Sequence, residues 1–213
     1  MPSALKLGIV ALFWIFPTLA AYSSEETQIA HQERSICTAS QTIDLDRARE
    51  LRDLIRQPNS SSDRLLLLRN ELDESLSQCS SAINAALAAF LASLYVDIGG
   101  GLSSQQSYAE AISSYREADA LFARFPHPDV LWLQALRGEA LAELSVGNKT
   151  NAEHIASTQV ALAREWVRKQ NFIPQELRYA LSFEADLCDK SGNTTCSQDS
   201  RSEDKDLEQS ARR

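Results

Sequence analysis

The sequence predicts an all-α protein of stacked antiparallel helical hairpins, and three observations carry that prediction. The 213 residues hold only 7 Gly and 6 Pro, while the helix-favouring Ala, Leu, Glu, Arg and Gln are plentiful. Apolar residues recur at three-and-four spacing in one window after another, each window closed by Pro or Gly, and few windows alternate as strands do. Third, the small-large-small rhythm Ala111, Tyr115, Ala118 returns 45 residues later as Ala156, Val160, Ala163. A repeat of that length marks units that bury a core only by stacking on one another. A closed helical bundle is the alternative arrangement of the same helices.

The chain opens on a segment with the marks of an export signal. Lys6 flanks the apolar run Leu7–Phe16, Pro17 breaks it, and Ala20 and Ala21 offer small residues for cleavage. The run is shorter than the ~18 to 20 residues a membrane span requires. Residues 1–21 are therefore expected to be removed, leaving a periplasmic or secreted protein with no membrane segment. Residues 22–43 are polar, and a short helix near Glu25–Cys37 is the most they support.

The helical-repeat domain is expected over residues 44–196. Asp44–Gln57 carries Leu45, Ala48, Leu51, Leu54 and Ile55 on one face, and Pro58 ends it. Asp63–Leu76 places Leu65, Leu68, Leu72 and Leu76 in step. A break near Cys79–Ser81, with Ser80 or Ser81 as cap, precedes a buried helix over Ala82–Ile98, which Gly99, Gly100 and Gly101 are expected to stop. A helix from about Ser107 ends at Phe125–Pro128. Pro128–Val146 follows, closed by Gly147. Thr150 and Glu153 form a capping box for Ala152–Lys169. Pro174 then begins a last helix with Leu177, Ala180, Leu181, Ala185 and Cys188 inward, read as a cap on two hairpins, with Asp44–Leu76 a candidate third. From Ser197 to Arg213 one large apolar residue, Leu207, stands among charges, and the stretch is read as a disordered tail.

Within Ser107–Pro126 the residues Tyr108, Ala111, Ile112, Tyr115, Ala118 and Pro126 resemble the second helix of a tetratricopeptide repeat. The alternation lets a neighbouring backbone approach over alanine while the aromatics fill the gap left. Tyr115 is accordingly expected in the core. The sequence departs from that family in its long period, in the absence of the turn glycine before Tyr108, where Gln106 stands nearby, and in Lys149 where an aromatic is expected. The resemblance implies an α-solenoid whose concave surface, lined by the first helix of each hairpin, holds a peptide or protein partner. On this chain those helices are Ala82–Ile98 and Pro128–Val146, and Trp132 and Arg137 are the contact candidates. A small apolar ligand held between helices is the alternative.

Charge and cysteine usage narrow the classes. The formal charge of −8 disfavours nucleic acid. Cys37, Cys79, Cys188 and Cys196 all follow the signal, and in an oxidising compartment they imply two disulfides. Near-with-near pairing closes Cys188–Cys196, worth about 2.5 kcal/mol, and Cys37–Cys79, worth about 4 kcal/mol. His31, His127 and His154 are isolated, no nucleophile elbow occurs, and the acidic pairs fall on solvated faces. No catalytic residue, metal or cofactor is expected. Asn59, Asn148 and Asn193 begin N-x-S/T triplets in expected turns.

Overall fold

The computed structural model describes residues 44–79, 83–124, 129–169 and 174–211. These form eight helices: α1 (Leu45–Ile55), α2 (Ser62–Gln78), α3 (Ala85–Ser104), α4 (Tyr108–Arg124), α5 (Val130–Ser145), α6 (Lys149–Arg168), α7 (Pro174–Ser191) and α8 (Thr194–Ala211). Consecutive helices pack as hairpins. The odd helices also pack on one another, α1 on α3, α3 on α5 and α5 on α7. One layer of first helices is thus backed by second helices, the stacked-hairpin arrangement the apolar periodicity predicts.

Side-chain caps fix several starts. Asp44 accepts from the amides of Asp46 and Arg47, at 3.0 and 3.1 Å. Ser61 accepts from Arg64, Asn84 from Leu87 and Asp129 from Leu131. Asn84 therefore caps α3, whose first residue Ala85 stands three residues after the expected Ala82; Ser80 and Ser81 lie outside the described residues, as do Pro126 and Pro128. The Thr150–Glu153 capping box does not form as expected. Helix α6 already begins at Lys149, and the Glu153 carboxylate instead accepts from Ser191 and from Asn193 (2.8 Å) at the α7–α8 turn.

The three glycines do not stop α3, which runs through them to Ser104. Two of them, Gly99 and Gly101, serve close approach. A Cβ at Gly99 would lie 2.8 Å from the Tyr115 ring, and one at Gly101 would lie 2.7 Å from Leu65 Cδ1. The helix tolerates about 1 kcal/mol per glycine because those two neighbours fill the space. On α5, a Cβ at Gly138 would overlap the same Tyr115 ring. Tyr115, expected in the core, is 5% exposed and wedged between α3 and α5. Helix α3 is long and apolar enough to cross a membrane, yet Leu91, Leu94, Tyr95 and Ile98 are fully buried within this core.

One turn recurs in three hairpins. After α3, Gln106 and Ser107 donate to the Ser103 and Leu102 carbonyls. After α5, Gly147 and Asn148 donate to Leu144 and Glu143, and after α7, Gly192 and Asn193 donate to Asp189 and Cys188. Each is a Schellman closure whose central residue is left-handed, with φ of 63° at Gln106, 89° at Gly147 and 91° at Gly192. The second helices begin at Tyr108, Lys149 and Thr194, so the repeat anchored on the turns is 41 and then 45 residues.

The C-terminal expectations need two corrections. Residues from Ser197 onward are not a disordered tail among those described, because α8 runs over Thr194–Ala211, and α7 is the first helix of a further hairpin rather than a lone cap. The stretch buries almost no hydrocarbon, so hydropathy gives no sign of it. Its anchors are polar and covalent. Ser197 and Ser200 are small enough to be buried against α7, and Ser200 donates to Glu184 at 2.8 Å. Arg164 forks onto Glu203 at 3.0 and 2.8 Å, and Arg178 reaches Asp204 at 2.7 Å. The predicted Cys188–Cys196 disulfide joins the two helices across a Cα separation of 5.9 Å. Cys79 is also disulfide-bonded; its expected partner Cys37 lies outside the described residues.

Candidate functional site

The two contact candidates on α5 point to opposite sides. Trp132 is 9% exposed and faces the second-helix layer. Its ring stacks on Phe122 at 5.8 Å and tilts against Trp166 at 5.7 Å, and its indole N–H donates to Asp119 at 2.6 Å. A tryptophan so packed is a core residue with little surface left for a partner. The same side of α5 holds an ionic network in which two buried glutamates meet an exposed arginine. Arg116 donates to Glu139 at 2.8 Å and to Glu143 at 2.6 Å, and Asn148 and Asn151 each donate to Glu143 at 2.7 Å. Burial raises the Glu139 pKa, against the opposing pull of Arg116. This network sets how α4, α5 and α6 meet.

Arg137 stands five residues on, about 140° around the helix, and is exposed. Its guanidinium lies 5.0 Å over the Phe183 ring of α7, a cation–π contact that holds the group flat. It makes no hydrogen bond or ion pair with any described residue, so its N–H donors stay available. Two pockets flank it between α5 and α7. One, of about 340 Å³, is bounded by Val130, Leu133, Gln159, Glu176 and Tyr179. The other, of about 240 Å³, is bounded by Leu141, Tyr179, Phe183, Asp186 and Lys190. Both are lined by Arg137, so they form two reaches of one groove.

The groove has apolar edges. Tyr179 is 60% exposed, Val130 39% and Leu141 38%. Its floor carries a polar signal, Gln159 of α6, a residue 5% exposed. The amide nitrogen of Gln159 donates to the Leu133 carbonyl at 2.9 Å, while its buried Oε1 accepts from no described residue. Buried acceptors without partners are rare and costly.

Of the residues that line the groove, the sequence singles out Arg137 alone as a contact; Leu133 and Leu141 read from the periodicity as core, and Leu141 is instead 38% exposed. Tyr179 and Phe183 stand beside the α7 stripe, which they widen beyond what one neighbour can bury. Gln159 interrupts an otherwise apolar α6 face. Those were the available signals. The triplet asparagines Asn59, Asn148 and Asn193 lie in turns as expected, and the Asn193 side-chain Oδ1 accepts from the Cys196 amide at 3.2 Å. His154 is exposed; His31 and His127 lie outside the described residues. Among the described residues no three His, Cys, Asp or Glu side chains gather as a metal site would require. The chain matched no protein-family model and no curated protein.

Proposed function

We propose that the chain is an exported, non-enzymatic scaffold of tetratricopeptide-like design that docks a peptide or protein partner in the α5–α7 groove. The observation that carries this reading is the groove itself. Three exposed apolar side chains, Val130, Leu141 and Tyr179, line the pockets around an arginine that forms no ion pair with any described residue. Aromatic and arginine side chains at the centre of a concavity are the residues that dominate binding energy at interfaces. The groove lies between two first helices, the surface that the resemblance implies for contact. Export is supported by the Leu7–Phe16 segment and by the disulfides.

The test compares two exposed apolar positions. Tyr179 sits in the groove, whereas Leu67, 57% exposed, sits on α2. A tagged protein recovered from the exported fraction should bring down a partner, Tyr179→Glu should lose it, and Leu67→Glu should retain it. Recovery without a partner, or equal loss from both variants, would defeat the reading.

A further inference from the structure

Resting on the groove reading above, we infer that the occupant is an extended peptide segment with an internal aspartate or glutamate side chain facing Arg137. The inference starts from two unsatisfied groups of opposite character. Arg137 has a planar fork of donors with no described acceptor, steadied over Phe183 at 5.0 Å. Such a fork matches a carboxylate in a bidentate pair. Gln159, which lines one pocket together with Arg137, carries a buried Oε1 without a described donor. The ligand must therefore supply both a carboxylate and an N–H.

That pair of demands excludes several chemistries. A fatty acid has the carboxylate and the apolar tail but no donor for Gln159. A nucleotide or polyphosphate carries several negative charges into a groove whose walls also hold Glu176 and Asp186, where they are repelled. A peptide main chain supplies one N–H per residue, and an acidic side chain supplies a single negative charge. Length agrees as well. From Glu176 to Lys190 the groove follows about 21 Å of α7 at 1.5 Å per residue, the span of roughly six extended residues. A free amino acid would leave most of that length bare.

The position of Arg137 identifies which carboxylate. Pockets lie on both sides of it, one reaching Val130 and Glu176 and the other Leu141 and Lys190. A chain that fills both must continue past the arginine, so the carboxylate belongs to an internal side chain and not to a C-terminus. The exposed apolar residues to either side, Val130 and Leu141, call for apolar neighbours flanking that acid. Tyr179, which lines both pockets, covers the middle.

The experiment uses the full processed chain and an array of hexapeptides with Asp, Glu, Asn or Lys at a central position and apolar flanks. One set is acetylated and amidated, the other bears a free carboxyl terminus. Binders are titrated by fluorescence anisotropy. The capped Asp and Glu peptides should bind, and the Asn exchange should weaken them about tenfold to a hundredfold, the range for a charged hydrogen-bonded pair. Arg137→Gln should give a similar loss and, in the same titrations, no longer separate Asp from Asn. Arg52→Gln, which removes a guanidinium stacked on Phe90 at 5.6 Å between α1 and α3, should leave affinity unchanged. Binding that ignores the central residue, or that survives Arg137→Gln intact, would overturn the acidic-side-chain assignment and leave the groove reading standing. Binding confined to free-carboxyl peptides would overturn it in favour of terminus capture. Absence of binding across the array would overturn both readings. A dimer in sedimentation that Tyr179→Glu dissolves would assign the groove to a second copy of the chain and overturn the peptide.

Discussion

The junction of α3, α4 and α5 and the junction of α5, α6 and α7 are built from the same hairpin and treat the space between first helices differently. In the former, a tyrosine ring from α4 enters between α3 and α5, and glycines at 99 and 138 make room for it. Counted from the left-handed turn residues Gln106 and Gly147, the position of Tyr115 on α4 is held on α6 by Ala156. The position of Gly138 on α5 is held on α7 by Phe183, counted from Gly192. The large ring has passed from the second helix to the first. With Ala156 and Gln159 below, the space between α5 and α7 keeps a floor with an unsatisfied acceptor, and Phe183 becomes the platform on which Arg137 rests. Where a repeat places its one bulky residue decides whether the gap between first helices is filled or left for a guest.

Two tyrosines give that comparison its largest test. Tyr115→Ala removes a buried wedge and should cost about 3 to 5 kcal/mol, as large aromatic truncations do. Tyr179→Ala removes a side chain that is 60% exposed and should change stability by no more than about 0.5 kcal/mol. Denaturant melts of the two variants measure both. Equal costs would mean that the α5–α7 junction is packed as tightly as its neighbour and that the groove has no spare surface to give.

The glycine at 138 supplies the next test. Gly138→Ala places a methyl inside the Tyr115 ring and should cost about 1 to 3 kcal/mol, the range for overpacking a core. Paired with Tyr115→Leu, which vacates the ring, most of that cost should vanish, so the two substitutions should be strongly non-additive in a double-mutant cycle. Additive losses would show that the glycine serves something other than the ring.

These features differ in how far the sequence reveals them. The helices and the burial of Tyr115 follow from three-and-four periodicity, because an apolar stripe predicts its own burial. Gly99–Gly101 misled because local propensity counts glycine as a breaker, and only the partner across the interface, Tyr115 or Leu65, explains why the helix continues. Helix α8 escaped because Ser197, Ser200 and a set of ion pairs anchor it, and none of these raises hydropathy. Trp132 and Arg137 looked equivalent as neighbours on one helix; a rotation of about 140° separates a core pillar from a groove residue. The groove was legible only at Arg137, since Tyr179, Phe183 and Gln159 gain meaning when α6 and α7 are set beside α5.

The smallest expected effect returns to the turns that open each junction. Gly147 and Gly192 occupy the left-handed position without a side-chain penalty, while Gln106 holds it at φ 63° as an exposed L-residue. The left-handed conformation costs a residue with a Cβ about 1 to 2 kcal/mol, partly offset in glycine by the greater freedom of its unfolded chain. Gln106→Gly should therefore stabilise the protein by roughly 0.5 to 1 kcal/mol, or about 2 °C in Tm for a chain of this size, and Gly147→Gln should lower it by a similar amount. The two substitutions lie on exposed turns and touch neither the Tyr115 wedge nor the groove. If Gln106→Gly lowers Tm instead, the glutamine side chain contributes a stabilising contact of its own, and the turn of the tyrosine-filled junction is not the same device as the turn beside the groove.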